Sequence, residues 1–229
     1  MQLKKLVTLG SLGLLLAATA SAQITKSGST YNFKMKFTKG QVIKYSIDVK
    51  NQMGGPSGQT MQMAIPMSQT VKSVSGGTAT ISMTLGPIQS GGREMMKAQT
   101  QEMQMDSAGK PVGGGKGMTS NFSSLPSKPV RVGETWTASV DINAGVMPAK
   151  AQGTYTFVGV KKVKGVEVAE IAVKLTGQGG PKISGTGTTL LRVADGSIEA
   201  TNLNIQTSVA NPQSKEPMQI SQVIKVTRG

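Results

Sequence analysis

The sequence has 229 residues, 25 Lys and Arg against 11 Asp and Glu, and neither Cys nor His. That composition excludes disulfides, thiolate and imidazole metal sites, haem with an axial His, and any catalytic triad that needs His or Cys. The 29 Gly and 10 Pro follow no period, so the chain is neither collagen-like nor broadly disordered, and hydrophobic burial alone must hold its fold.

The N-terminus reads as an export signal. Lys4 and Lys5 form a basic start, Leu6 to Ala18 an apolar stretch, and Ala20-Ser21-Ala22 a small-residue cleavage site. Cleavage there makes Gln23 the first mature residue and places the protein in the periplasm or outside the cell. The apolar stretch is shorter than the ~20 residues of a spanning helix, so no transmembrane span is expected. Residues 23–229 are expected to form a single β-rich domain.

Period-two alternation then runs along the chain. Tyr31, Phe33, Met35 and Phe37 alternate with polar residues, Lys39-Gly40 turns, and Ile43, Tyr45, Ile47 and Val49 alternate again, which predicts a β-hairpin over 31–49. Met61, Met63, Ile65 and Met67 share one face of the next strand, where Pro66 favours an edge or a bulge. Gly76-Gly77 turns into a strand carrying Ala79, Ile81, Met83 and Leu85. From Arg93 to Met105 the spacing fits a short helix or a strand in its first half, and a strand entering the Asp106–Gly109 turn in its second. Residues 111–128, rich in Gly, Ser and Lys, read as a long flexible loop. Trp136 opens a further β run, which passes Tyr155, Phe157 and a Lys164-Gly165 turn to reach Ala169, Ile171, Val173 and Leu175. Residues 183–193 are expected to pair with 197–209 across a two-residue Asp195-Gly196 turn, and Met218 to Val226 form a last strand.

The fold class is therefore all-β, with about ten mostly antiparallel strands. A flat sheet of that width would leave two raw edges, so a strongly curved sheet or partly closed barrel wrapped around its apolar face is expected.

Methionine is the compositional oddity. There are 14, nine of them from Met53 to Met105, against only eight aromatics. Flexible, polarizable side chains suit adaptable binding surfaces. Met61, Met63, Ile65, Met67, Met83, Met103, Met105 and Trp136 are expected to line a groove for an apolar small molecule or lipid. The Met-Gln-Met pairs at 61–63 and 103–105 would also suit Cu(I) or Ag(I). Aliphatic residues interrupt the same rows, however, which favours an apolar lining. A lone Trp opening a strand is more often a core anchor than a ligand contact.

The lysine excess is spread along the strands, and aromatics for base stacking are scarce, so nucleic acid is not an expected partner. An anionic envelope surface is, and a structural or interaction module with a solid core and a basic face is the alternative function. Gly113 to Gly117 resembles a phosphate loop but lacks its first Gly and its Ser/Thr, and no acid pair sits at a catalytic spacing. The expectation is a non-enzymatic binding protein without a cofactor. A transmembrane barrel would need aromatic girdles that are missing here.

The segment Leu125-Pro126-Ser127-Lys128-Pro129-Val130-Arg131-Val132-Gly133-Glu134-Thr135-Trp136 resembles one found in uncharacterised exported bacterial β-rich proteins, where it introduces the second half. The plan as a whole is similar to the half-barrel lipoprotein carriers of the bacterial envelope. That resemblance implies a curved sheet with a ligand groove and no catalytic residue.

Overall fold

The computed structural model describes residues 23–54, 58–90, 93–112, 125–143, 148–179, 182–210 and 217–229. The export signal expected over 1–22 and most of the loop expected at 111–128 lie outside the described residues.

Every regular element among the described residues is a β-strand. Ten have eight residues or more: β3 (Val42–Met53), β4 (Gln59–Ser75), β5 (Thr78–Leu85), β8 (Gln99–Asp106), β10 (Thr135–Asn143), β11 (Pro148–Val163), β12 (Val166–Gly177), β13 (Lys182–Arg192), β14 (Ile198–Val209) and β15 (Met218–Arg228). Five are short: β1 (Ile24–Ser27), β2 (Thr30–Phe33), β6 (Ile88–Ser90), β7 (Arg93–Met96) and β9 (Pro111–Val112). The stretch from Arg93 to Asp106, ambiguous in sequence, is thus two strands.

The strands are ordered β10-β11-β12-β13-β14-β15-β3-β4-β5-β8-β9 in one antiparallel sheet, with β6 and β7 hung on β4. Along this path nearly every neighbour in space is also a neighbour in sequence. The exceptions are β5 beside β8, where β6 and β7 intervene in sequence, and β15 beside β3, which joins the end of the meander to its beginning. One junction would turn this path into a closed up-and-down barrel, that between β9 and β10, and no described ladder fills it. Among the described residues the sheet is therefore open along a single seam, at mid-sequence.

One face runs unbroken across the sheet. The pairings trace a row Trp136–Tyr155–Val173–Gly187–Leu203–Ile224–Val49–Met63, from β10 to β4. A parallel row reads Ala138–Gly153–Leu175–Gly185–Ile205–Gln222–Asn51–Met61. The burial of β3 shows the physics plainly. Ile43, Tyr45, Ile47 and Val49 are buried, while Val42, Lys44, Ser46, Asp48 and Lys50 between them are exposed. Period two sends alternate side chains to opposite faces, and only the apolar set gains by leaving water.

The expected hairpin over 31–49 does not form. β2 pairs with β1 instead, and β3 takes β15 and β4 as its partners. Lys39-Gly40 still turns the chain, with Gly40 at φ +81°. The intervening residues 34–38 form no strand and hydrogen-bond to other parts of the chain: Lys34 N–H to the Gln23 carbonyl, Met35 N–H to that of Ser107, and Lys36 N–H to that of Asp195. Alternation located β2 and β3 but overran the first of them past Phe33, and it holds no information about which strand completes a ladder. The β1–β2 hairpin thereby lies across one end of the curled sheet, with Ile24 and Phe33 buried in the core.

Two turns follow expectation: Gly76-Gly77 joins β4 to β5, and Lys164-Gly165, with Lys164 at φ +49°, joins β11 to β12. The Asp195-Gly196 connection is wider than the two residues expected, since β13 stops at Arg192 and β14 starts at Ile198. Asp195 Oδ1 accepts from the Ser197 N–H at 2.9 Å, an Asx turn that organises a longer loop. Gly196 is needed there twice over, by its φ of +70° and because a Cβ would sit 2.3 Å from the Lys34 carbonyl oxygen. Pro66 lies where β4 changes partner from β5 to β6, a break in the ladder that has no use for its missing N–H.

Candidate functional site

The seam holds a pocket of about 480 Å³. Its walls are Ala108 to Pro111 from the β8–β9 turn, Leu125 and Ser127, and Trp136 to Ser139 of β10. In a flat sheet, nine strand spacings of ~4.8 Å would separate β10 from β8 by ~43 Å. β10 and the turn that follows β8 line one pocket, so the sheet curls until its two margins nearly meet.

The β10 wall is built by the Leu125–Trp136 segment. Leu125 and Pro126 are buried, and Val130 exchanges two backbone hydrogen bonds with Tyr31, at 2.7 and 2.9 Å. Glu134 closes the turn that follows: its carboxylate accepts the Arg131 N–H at 2.9 Å, and its own N–H donates to the Arg131 carbonyl at 3.0 Å. Gly133 supplies φ +86° and donates to the Phe157 carbonyl, which sets the register of β10 on β11. Three residues after Gly133, Trp136 emerges on the inner face.

Trp136 is half-buried and stacks on Tyr155, its cross-strand partner, with ring centroids 5.7 Å apart and planes inclined 16°. Behind them Phe33, Phe157 and Tyr31 pack edge to face at 4.9 and 5.1 Å. Five of the chain's eight aromatics thus form one cluster behind the pocket. Gly153 makes this possible, because a Cβ there would lie 2.7 Å from the Tyr155 ring. The ring folds over the bare glycine backbone and so reaches Trp136.

The opposite wall is fixed by Asp106. Its Oδ1 accepts the N–H groups of Ala108 at 2.9 Å and Lys110 at 2.8 Å, while Ser107 accepts from Met35. Lys110 is the one charged residue among the described lining residues, and it is exposed at the mouth.

Of the residues expected at a binding groove, Trp136 lines this pocket. The others share its face of the sheet but are placed elsewhere. Met63, Ile65 and Met67 are half-buried against the main core, and Met103 and Met105 pack with Phe37 on a smaller cluster of Val71, Ala79 and Ile81. Met83 is half-buried between Gln69 and Gln101, and Met61 is 36% exposed. The described lining residues include no methionine. Sequence reasoning missed Lys110, Pro111 and Ser139, none of which stands out from its neighbours; the sole Trp was the legible signal.

A polar cluster sits away from the pocket. Arg228 donates to Asp195 at 3.3 Å and to the Ser197 hydroxyl, and Arg192 pairs with Glu199. Tyr45, cross-strand partner of Arg228, has its hydroxyl pKa pushed up to about 12 by burial, which Arg228 opposes in part. Every charge named here has a partner, which makes the cluster a brace between β3, β15 and the β13–β14 loop.

Fold and pocket together define an open, curled, up-and-down β-sheet with a small cavity at its seam and an aromatic wall. The chain belongs to a family of unknown function, DUF6263, whose model matches residues 29–208. No curated protein matches it. The Leu125–Trp136 segment and the pocket both fall within the matched span.

Proposed function

We propose that the protein is an exported, non-enzymatic binding protein that holds an apolar or amphipathic small molecule at the seam of its curled sheet. The observation that carries this reading is the pocket itself. About 480 Å³ lies within the usual range for small-molecule sites, and the walls combine apolar surface from Leu125, Pro111, Ala138 and Trp136 with a few hydroxyls. Export is supported by the basic start, apolar stretch and Ala20-Ser21-Ala22 site, which release a chain beginning at Gln23. The methionines support binding from behind, as a compliant inner face that lets the sheet margins adjust.

Native mass spectrometry of protein recovered from the periplasm of an expression host tests the reading. The folded protein is expected to carry a small-molecule mass that denaturation releases and that Trp136→Asp abolishes without unfolding the chain. A bare polypeptide mass, with no response of Trp136 fluorescence to apolar probes, would overturn it. A chain whose first residue is not Gln23 would overturn the expected cleavage site.

A further inference from the structure

Resting on that reading, we propose that the ligand is an amphipathic monoanion, an alkyl chain ending in a carboxylate, with Lys110 as its counter-ion. Three observations converge on this. Lys110 is the one charged residue among the described lining residues, and none of those residues is acidic. It forms no ion pair among the described residues. The carboxylate nearest in sequence, Asp106, is committed to backbone: Oδ1 accepts the N–H groups of both Ala108 and Lys110 itself. Asp106 thus shapes the turn that carries Lys110 and leaves the ammonium group free.

The remaining lining residues divide by chemistry. Leu125, Pro111, Ala138 and Trp136 offer carbon surface, while Ser127, Thr137 and Ser139 offer hydroxyls. A hydrocarbon chain is matched by the first set. A carboxylate, which accepts hydrogen bonds only, is matched by Lys110 and the hydroxyls. A dianion would leave one charge uncompensated, and a cationic head would meet Lys110 with no acid in the described wall to offset it. Lys110 is exposed, so water screens its charge. The charge therefore selects among ligands of equal chain length, and the carbon surface supplies most of the affinity.

The test uses three probes of one chain length, decanoate, 1-decanol and decyltrimethylammonium, titrated against the chain from Gln23 onward. Trp136, the only tryptophan, reports binding by its emission, and calorimetry provides a second readout. Decanoate is expected to bind about five- to tenfold more tightly than decanol, the scale of a partly exposed charge-assisted contact, and decyltrimethylammonium more weakly than either. Lys110→Gln should bring decanoate down to the level of decanol and leave decanol unchanged. Raising NaCl from 20 to 300 mM should narrow the gap in the wild type alone. Equal binding of decanoate and decanol by the wild type overturns the anion inference and leaves the pocket standing. A preference that survives Lys110→Gln overturns the role of Lys110. Silence with all three probes, in emission and in heat, overturns the pocket reading as well.

Discussion

Gly153→Ala is the sharpest probe of how the pocket wall is made. The backbone at Gly153 is ordinary extended strand, so alanine costs nothing in φ and ψ; the penalty is steric. A Cβ would fall 2.7 Å from Cε2 and the hydroxyl oxygen of Tyr155, about 1 Å inside normal contact. Tyr155 is 4% exposed and closed in by Trp136, so its ring has no solvent to swing into. Overpacking of this kind costs about 1–3 kcal/mol, and loss of the stacked pair adds about 1 kcal/mol. The expected loss is about 2–4 kcal/mol, or ~4–16 °C in Tm for a domain of this size. Urea denaturation followed by Trp136 emission gives both the stability and, from the native baseline, the altered surroundings of the indole. Unchanged stability with an unchanged native spectrum would show that Tyr155 moves freely, and would refute the claim that Gly153 positions the aromatic wall.

Gly187→Ala should be harsher, since its Cβ would meet the Asn202 carbonyl oxygen at 2.1 Å, a backbone atom that cannot rotate away; thermal melts should rank it below Gly153→Ala. Removal of Asp195 strands a guanidinium whose side chain is 15% exposed and frees the Ser197 N–H, so Asp195→Ala is expected to cost about 3 kcal/mol by urea denaturation. Asp195→Asn, which keeps the Asx turn, should cost about half as much, and equal losses would show that the charge contributes nothing. Tyr45 predicts a pH dependence of definite sign. Its folded pKa of about 12 exceeds the unfolded value near 10, so above pH 10 the unfolded chain loses this proton first. Stability is full below pH 10 and falls by about 1.4 kcal/mol per pH unit up to pH 12, a slope that Tyr45→Phe should remove. Met103→Leu and Met105→Leu are each expected to cost less than ~1.5 kcal/mol in thermal melts, as volume-conserving swaps within an aliphatic cluster. Cu(I) uptake by the wild type that disappears in this double variant would refute packing as their role.

The long strands were legible because one physical cause, burial of alternate side chains, writes itself directly into period two; Ile43 to Val49 is the plainest case. Local turns were legible where a backbone angle demands a residue type, as at Gly76-Gly77 and Lys164-Gly165. Neither signal reaches across the chain. Met35 and Phe37 alternate as well as any strand, yet their segment bonds to the Ser107 and Asp195 loops, a choice made by geometry more than 70 residues away in sequence. The pocket fared likewise. Trp136 announced itself by being the sole tryptophan, but Lys110 is one of 25 basic residues, and only the return of β10 to the β8–β9 turn distinguishes it. The Leu125–Trp136 segment was readable as a pattern before its purpose was known. Structure assigns Gly133 and Glu134 to launching β10, so the pattern records how the second half begins.

The position of β15 has a consequence for how the molecule comes into being. It is the latest of these strands to be made, yet it lies in the middle of the sheet, between β14 and β3. Without it, the strand order divides into two meanders, β3 to β9 and β10 to β14, each with an unpaired inner edge. The span matched by the family model stops at residue 208, short of this strand. Closure must therefore bring together residues as far apart as Tyr45 and Arg228, a contact whose loop entropy is met late and all at once. β15 is thus the keystone of the sheet: without it the two margins of the seam would belong to two separate sheets.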